Sequence, residues 1–330
     1  MLEHGGRLLR AVQHYGIPRE QWLDLSSGIA PWSFEIPPIA TQAWARLPEM
    51  EDGLEQAART YYQVEHLLPV AGSQAAIQAL PYLRRPGKVG VLSPCYAEHA
   101  HAWQRAGHAL VDMDETRAEQ ALDSLDVLVV VNPNNPTGGL LSAQRLLDWH
   151  ARLSRRGAWL VVDEAFMDMT PQHSIVGAAQ RPGLIVLRSF GKFFGLAGVR
   201  LGFVVAQVSL LQRLAEWLGP WAISGPTRAL AQACLLDTAA HASQKHRCAA
   251  ASQRLARLLD SADLSPAGGC ELFQYVRIER AARLHEFLAR RGILVRLFEQ
   301  PSALRLGLPA TEEDWQRLGQ ALAIYQKESA

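Results

Sequence analysis

The stretch GLIVLRSFGKFFGLAGVRLGFVVA, residues 183–206, joins two apolar runs of β type through a glycine-rich turn that contains one lysine. Lys192 lies in this turn beside Phe190, Phe193 and Phe194. A lone lysine is most often a solvated surface charge. The aromatic neighbours favour partial burial instead, and a partly buried lysine can form a Schiff base with a carbonyl group.

Similar apolar runs alternate with helical patterns between about residues 70 and 210, which predicts an α/β domain. The runs are KVGVLSP from residue 88, HALVDMD from 108, DVLVVVNP from 126, AWLVVDEAF from 158, GLIVLRSF from 183 and RLGFVVA from 200. Several are apolar without alternation, which is typical of strands covered on both faces, so a largely parallel sheet is expected. Ligands of such sheets bind at the carboxyl ends of the strands.

The pattern changes after Pro226, where a long helical stretch to about residue 262 precedes three short strand-like runs. A helix near 281–291 separates these runs, and a final helix is expected from Thr311. The sequence therefore predicts a large domain followed along the chain by a smaller α+β domain. We expect an N-terminal arm that belongs partly to the small domain over 1–45, a large domain over 46–225 and a small domain over 226–330.

Composition excludes several classes of protein. The 330 residues are 48% apolar and 20% charged with a formal net charge of +1, so no global field attracts nucleic acid or anionic membrane. No apolar run approaches the roughly 18 residues of a membrane span, and the start MLEHGGRLLR does not resemble a signal peptide. The four cysteines and the histidines form no metal-binding pattern. We expect a cytoplasmic protein with reduced thiols and without a bound metal.

Three further polar features lie near the ends of predicted strands. Asp163 ends AWLVVDEAF, the segment NPNNPTG spans 132–138, and Gly72 and Ser73 precede the helical AAIQAL. Each has an ordinary structural interpretation: a helix cap, a turn and an N-cap, respectively. Free backbone N–H groups at a helix start also form an anion site.

Two motif families are excluded by missing companions. Ser189 and Lys192 form S-x-x-K, but the S-D-N and K-T-G segments of serine β-lactamases are absent. The glycines form no G-x-G-x-x-G fingerprint between a strand and a helix, so a dinucleotide site is not indicated.

Taken together, the ordered features resemble the class I and II aminotransferases, which are pyridoxal 5'-phosphate enzymes of fold type I. The set comprises Asn-Pro-Thr-Gly at 135–138, Asp163, Ser189-x-x-Lys192 and Arg200. The resemblance covers nearly the whole chain and implies a large domain with a mostly parallel sheet, a smaller α+β domain, and a homodimer.

The resemblance also implies roles for individual residues. Lys192 would hold the cofactor as a Schiff base and move protons, Asp163 would pair with the pyridine nitrogen, and Asn135 would bind the phenolic oxygen. Tyr96 matches the aromatic residue that stacks on the ring. Four positions match those that bind the cofactor phosphate, namely Gly72, Ser73, Ser189 and Arg200.

The sequence departs from the aminotransferase pattern at two positions. Phe166 occupies the place of a tyrosine whose hydroxyl binds the phenolic oxygen. Leu47 occupies the place of a tyrosine that reaches the partner subunit's cofactor phosphate, with Tyr61 or Tyr62 as possible substitutes.

Substrate recognition is expected from the two ends of the chain. Arg305 in SALRLGLP matches the arginine that binds a substrate carboxylate in this family, and Arg296 lies nine residues earlier. Both could also be solvated strand residues. His4-Gly5-Gly6 resembles an N-terminal substrate-binding segment, although alone it would read as a frayed terminus. Which arginine takes the phosphate is left open.

Within the family, the chain is similar to the enzymes that decarboxylate L-threonine O-3-phosphate to (R)-1-amino-2-propanol O-2-phosphate for cobalamin biosynthesis. Phe166, Leu47 and His4-Gly5-Gly6 favour this activity over the alternative, histidinol-phosphate aminotransferase. A ligand sensor of a transcription regulator would need an attached DNA-binding module, and residues 1–40 are too short and too rich in proline for one. The expected partner is a small phosphorylated amino acid.

Overall fold

The structure, a computed structural model, describes residues 3–329 and the side chains of residues 3–328. The strands of these residues are β1 (Leu23–Asp24), β2 (Leu68–Val70), β3 (Lys88–Leu92), β4 (Ala109–Met113), β5 (Val127–Val131), β6 (Trp159–Asp163), β7 (Leu184–Ser189), β8 (Gly202–Val205), β9 (Gly268–Cys270), β10 (Phe273–Arg277), β11 (Ile293–Leu294), β12 (Arg296–Phe298) and β13 (Ala303–Gly307).

The α-helices of the same residues are α1 (Leu8–Tyr15), α2 (Thr41–Ala45), α3 (Leu54–Tyr62), α4 (Ser73–Ala79), α5 (Glu98–Arg105), α6 (Glu115–Ala121), α7 (Ala143–Ser154), α8 (Phe190–Phe193), α9 (Val208–Leu218), α10 (Gly225–Leu236), α11 (Thr238–Asp260), α12 (Ala281–Ala289) and α13 (Glu312–Ser329). Short 3-10 turns occur at Arg19–Gln21, Leu80–Leu83, Leu122–Ser124, Met167–Met169, Pro171–His173, Val176–Ala178 and Ala197–Val199. None of these helices is long and apolar enough to cross a lipid bilayer.

Contacts divide the chain into two compact units. The larger unit comprises residues 34–135 and 140–241, and the smaller unit comprises 136–139 together with the described residues up to 33 and from 242 onward. The ranges of these two units differ from the domain ranges expected from the sequence, which stay a prediction.

The larger unit is built on a seven-stranded sheet in the order β2-β8-β7-β6-β5-β3-β4. The five strands from β7 to β4 are mutually parallel, while β8 runs antiparallel to β7 and to β2. All five residues of β5 and of β6 are buried, as expected for strands covered on both faces. The predicted α/β fold with a largely parallel sheet is confirmed, and it brings the ends of β5, β6 and β7 to one edge.

The smaller unit contains a four-stranded antiparallel sheet in the order β12-β13-β10-β9 and a short parallel pair, β1 and β11. All five residues of β13 are buried, including the charged Arg305. The predicted α+β character of this part is confirmed. Burial of an arginine inside a strand is costly unless its charge is used, which directs attention to this residue.

Some elements differ from the sequence predictions. The helical stretch after Pro226 consists of two helices, because Asp237 interrupts the helix between α10 and α11. The Asp237 side chain accepts a hydrogen bond from the N–H of Ala240 (2.9 Å) in the first turn of α11. Strands β2 and β9, with three residues each, and helix α1, with eight, are too short to be predicted from periodicity.

Candidate active site

The carboxylate of Asp163 lies at the carboxyl end of β6 and is 3% exposed. Its Oδ1 accepts a hydrogen bond from the N–H of Ala165 (3.0 Å), and its Oδ2 lies 2.8 Å from Nε2 of His99, whose side chain is also buried. A carboxylate at such a site needs partners in place of water. The imidazole fixes its orientation while leaving the rest of the carboxylate available to a ligand.

Donors for an anion converge between β2, β7 and β8. Gly72 has φ 72°, and a Cβ at this residue would lie 2.6 Å from Nη2 of Arg200, so the guanidinium rests directly against the Gly72 backbone. Ser189 pairs in register with Gly202, and the backbone nitrogen of Ser73 lies 2.5 Å from the position of a Cβ on Gly202. A guanidinium, a backbone N–H group and two serine residues are thus brought together, and such groups are donors suited to a phosphate dianion.

Arg200 itself adopts a left-handed backbone conformation with φ 55° and ψ 52°. This conformation costs a non-glycine residue about 1–3 kcal/mol, and such outliers cluster at functional sites. Nη1 of the guanidinium donates a hydrogen bond to the carbonyl oxygen of Ala197 (3.4 Å). The side chain is exposed, so an incoming anion can reach it.

Lys192 lies in α8, directly after β7, and its side chain is half-buried. Its Nζ lies 5.6 Å from the centre of the Phe166 ring, and Phe166 is 4% exposed. The turn is fixed by Phe190 and Phe194, whose rings stack at 4.2 Å. The primary amine of Lys192 is thus held by a turn of packed aromatic side chains, and Phe166, which faces it, has no hydroxyl.

Tyr96 lies after β3, and its hydroxyl donates to Oε1 of Gln74 (3.1 Å). The amide of Gln74 in turn donates to Oε2 of Glu98 (2.9 Å). Burial and the nearby Glu98 raise the pKa of Tyr96 to about 12, so the phenol is protonated at neutral pH. This chain of hydrogen bonds fixes the orientation of the aromatic ring.

The turn after β5 contains Asn135, whose side chain is half-buried. The preceding part of the turn is closed by Asn132, which accepts a hydrogen bond from the N–H of Leu141 (2.8 Å) and donates one to its carbonyl oxygen (3.2 Å). Asn134 donates to the carbonyl oxygen of Pro94 (2.9 Å). The NPNNPTG segment is therefore a closed, hydrogen-bonded turn at the same sheet edge as Asp163.

In the smaller unit, the N-terminal segment and Arg305 meet at one residue. The carbonyl oxygen of Ser26 accepts a hydrogen bond from Nη2 of Arg305 (2.9 Å), and it would lie 2.1 Å from a Cβ on Gly5. Only glycine allows this close approach. The N–H of Gly6 donates to the Ser26 hydroxyl (2.7 Å), so His4-Gly5-Gly6 is docked on the folded unit.

Arg296 lies in the same unit, and Glu3 is its partner. Its Nη2 donates to the carbonyl oxygen of Glu3 (2.8 Å), and its Nη1 lies 3.6 Å from the Glu3 carboxylate. His4 and Arg296 line one cavity together with Arg7 and Arg10. The charge of this cavity is mainly positive, which suits an anionic ligand.

Burial lowers the pKa of Arg305 to about 10, with a further contribution from the nearby charge of Arg296. The guanidinium is 6% exposed and remains charged at neutral pH. An anion that paired with it would offset the cost of its burial.

The structure gives Tyr61 and Tyr62 contacts within the larger unit, and the replacement of the missing tyrosine at Leu47 by either of them stays a prediction. The Tyr61 hydroxyl donates to Oδ1 of Asp168 (3.2 Å), and Tyr62 is 5% exposed. Both hydroxyls are directed into the larger unit, whereas the Leu47 side chain is 64% exposed.

Among the described residues, no group of three His, Cys, Asp or Glu side chains is arranged to hold a metal ion, and the four cysteines are free thiols. The residues of the larger unit fit pyridoxal phosphate instead. The anion site suits its phosphate, the buried Asp163 suits its ring nitrogen, and the amine of Lys192 suits its aldehyde.

Sequence reasoning missed His99 and Gln74. His99 contacts Asp163 and Gln74 contacts Tyr96, so each binds a predicted site residue and not a ligand. Neither belongs to a motif. His99 follows Tyr96 by three residues, but its contact with Asp163 spans 64 positions of sequence and leaves no local signal.

Comparisons with known proteins agree with this geometry. The family description "aminotransferase class I and II" matches residues 39–322. A threonine-phosphate decarboxylase from Pseudomonas aeruginosa is 62% identical over 99% of both chains, and one from a Sinorhizobium species is 44% identical over 97% of both. The crystal structure of a histidinol-phosphate aminotransferase from Sinorhizobium meliloti in complex with pyridoxal-5'-phosphate shares the fold, with a TM-score of 0.84, 19% identity and coverage of 100% of this chain and 96% of that one. The chain therefore belongs to the class I and II aminotransferase family.

Proposed function

We propose that this chain uses pyridoxal phosphate to decarboxylate L-threonine O-3-phosphate, giving (R)-1-amino-2-propanol O-2-phosphate for cobalamin biosynthesis. The observation that carries the proposal is the 62% identity to a threonine-phosphate decarboxylase over 99% of both chains. The presence of the matching side chains at one edge of the sheet supports it.

The residues of the larger unit would hold the cofactor at three points. Arg200, Ser73 and Ser189 take its phosphate, Asp163 takes its ring nitrogen, and Lys192 takes its aldehyde carbon. When bound, pyridoxal phosphate supplies a conjugated ring that accepts the electron pair released at the substrate α-carbon.

Asp163 keeps the ring nitrogen protonated by accepting its hydrogen bond. The interaction between His99 and Asp163 Oδ2 at 2.8 Å supports this role, because it leaves the carboxylate in one orientation. Tyr96, fixed through Gln74, supplies a flat aromatic surface for the ring, and Asn135 donates to the phenolic oxygen.

Orientation of the substrate decides which bond at the α-carbon breaks. Arg305, Arg296 and His4 would bind the carboxylate and phosphate of threonine phosphate. Binding energy from the phosphate, remote from the reacting carbon, then turns the carboxylate into the reactive position. Lys192 delivers a proton from Nζ to the α-carbon after CO2 departs.

The alternative activity, histidinol-phosphate aminotransferase, has less support. Most aminotransferases bind the phenolic oxygen of the cofactor with a tyrosine hydroxyl, and Phe166 lacks that hydroxyl. The structural likeness to the Sinorhizobium meliloti aminotransferase, at 19% identity, speaks only to the fold.

We also infer a homodimer. Four large apolar side chains of the larger unit are 60–69% exposed, and we call them the apolar face; they are Trp44, Leu47, Met50 and Trp221. Met50 and Trp221 line one cavity. Exposed apolar patches of this kind mark association surfaces. A cytoplasmic location is consistent with the four free thiols.

Product analysis tests the proposed reaction. The purified holoenzyme is incubated with threonine phosphate without any oxo acid and, in parallel, with histidinol phosphate and 2-oxoglutarate. The proposal expects 1-amino-2-propanol phosphate in the first reaction and little glutamate in the second. Glutamate formation without decarboxylation would show that the chain is a histidinol-phosphate aminotransferase and would refute the proposed reaction.

A further inference from the structure

A fully buried ion cluster lies behind the sheet edge that carries the cofactor residues. Nη1 of Arg188 donates to Oε2 of Glu164 (2.7 Å), and Nη2 donates to Oδ1 of Asp168 (2.7 Å). The three side chains are 0–2% exposed. We call these three residues the Arg188 cluster.

Every member of the cluster is tied to another element. The carboxylate of Glu164 accepts hydrogen bonds from the Ser174 hydroxyl (2.5 Å) and the N–H of Ile175 (2.9 Å). The Arg188 guanidinium lies 4.8 Å from the centre of the Tyr62 ring. Asp168 and Glu164 hold the pKa of Arg188 above its usual range, so the guanidinium is charged.

Stability does not explain this arrangement. Removing charges from water costs free energy, and apolar residues of similar volume often serve equally well. Within the described residues, two buried polar atoms of the cluster, Oδ2 of Asp168 and Nε of Arg188, also have no hydrogen-bond partner. A cluster that is costly and incompletely paired calls for another role.

The positions of its members in the chain indicate that role. Glu164 directly follows Asp163, and Arg188 directly precedes Ser189. Strands β6 and β7 are paired up to Asp163 and Leu187, and the N–H of Glu164 adds a hydrogen bond to the Leu187 carbonyl (2.9 Å). Successive side chains of a strand point to opposite faces, so Arg188 and Ser189 lie on opposite faces of β7.

We propose that Arg188 and Glu164 are positioning residues for the cofactor. Their ion pair, completed by Asp168, joins the ends of β6 and β7 from behind and so sets the separation between the Asp163 carboxylate and the Ser189 hydroxyl. These two groups bind two different parts of the same cofactor, the ring nitrogen and the phosphate. The inference rests on the proposed function, because only there do Asp163 and Ser189 acquire these partners.

The test uses Glu164→Gln, which keeps the size of the side chain and removes its charge. Glu55→Gln is the matched control, because Glu55 is a buried carboxylate that pairs with the buried Arg228 (2.6 Å) in the same unit. We expect Glu164→Gln to raise the Kd for pyridoxal phosphate more than about fivefold and to lower kcat about tenfold at unchanged KM, since small misplacements of binding groups are costly. Circular dichroism in the absorption band of the bound cofactor should change as well. Glu55→Gln should leave all these readouts at the wild-type value.

If Glu164→Gln does not fold, the neutral variant Glu164→Gln/Arg188→Met/Asp168→Asn replaces it, since removing every charge leaves none unpaired. Weakened cofactor binding in that folded variant supports the proposal. Wild-type Kd and dichroism in either variant, or equal changes in Glu55→Gln, would overturn it. The Kd for pyridoxal phosphate and the circular dichroism are both measured without substrate. Absence of threonine-phosphate turnover in the wild type would therefore refute the proposed reaction without deciding this inference.

Discussion

At the scale of single residues, the pair formed by Lys192 and Phe166 distinguishes this chain from most aminotransferases. The aromatic ring lies 5.6 Å from Nζ and offers no hydroxyl. In the proposed reaction Lys192 has two roles, because it holds the cofactor and also supplies the proton that replaces the lost carboxylate.

Replacing Lys192 by alanine should abolish the covalent link to the cofactor and lower turnover by at least about 10²–10⁴-fold, the usual contribution of a general acid or base. Borohydride reduction followed by mass spectrometry of the peptide tests the link. Lys245→Ala, a change at another half-buried lysine, serves as the control. Cofactor fixed by borohydride to the Lys192→Ala variant would refute the assignment.

The lowered pKa of Arg305 gives a prediction about pH. Because its pKa is about 10, the guanidinium is charged at lower pH and loses its proton as the pH rises through that value. The affinity for an anion should therefore stay constant up to about pH 9 and fall at higher pH. The measurement is the inhibition constant of 3-phosphoglycerate, which carries a carboxylate and a phosphate but no amine.

Arg305→Ala should weaken this inhibitor more than tenfold, which corresponds to about 1.4 kcal/mol, and remove the pH dependence. Arg155→Ala, a change at an exposed arginine, should do neither. An unchanged inhibition constant in Arg305→Ala would show that substrate anions bind elsewhere.

The sequence allowed prediction of residues that end strands and belong to motifs, as Asp163, Ser189 and Lys192 do. His99 could not be predicted in this way, because its role depends on a contact between β6 and α5 that no periodicity records. The Arg188 cluster was equally hidden, since a charged residue in an apolar strand has no visible partner in the sequence.

At the scale of elements, the link between β2 and α4 decides whether the anion site can form. A side chain at Gly72 would meet Arg200 at 2.6 Å and would have to adopt φ 72°. Gly72→Ala should therefore raise the Kd for pyridoxal phosphate at least about tenfold, because strain of about 1–3 kcal/mol adds to displacement of the guanidinium.

Equilibrium dialysis of the apo protein with the cofactor measures this effect. Gly198→Ala is the matched control, since a Cβ there meets no atom within 4 Å and Gly198 also lies close to Arg200 in the chain. Equal affinities of the two variants would contradict the proposed anion site.

Elements were predictable where burial imposes a strong pattern. The apolar runs that became β3 and β5 to β8 are largely buried, and each lies where the sequence predicts it. The run that became β4 also lies at its predicted place, although Asp112 interrupts it and only Met113 of its five residues is buried. Strands β2 and β9 have three residues each and form only because β8 and β10 pair with them. The break between α10 and α11 depends on one capping residue, Asp237, within a pattern that is otherwise helical.

At the scale of the whole molecule, the apolar face gives a prediction of association. Trp44→Lys/Leu47→Lys should convert the proposed dimer to a monomer, because charge on an association surface opposes its burial. Sedimentation velocity measures the mass. Ile324→Lys, at an exposed residue of the smaller unit, is the control. A wild-type protein that sediments as a monomer would refute the homodimer.

The central claim is that the bond between the α-carbon and the carboxylate is the one that breaks. Proton NMR of threonine phosphate turned over by the holoenzyme in deuterium oxide, without an oxo acid, tests it most directly. We expect 1-amino-2-propanol phosphate with one deuterium on the carbon that bore the carboxylate, formed in step with CO2 release. Threonine phosphate recovered with its carboxylate intact and deuterium at the α-carbon would show that the enzyme breaks the bond to hydrogen, and would contradict the account.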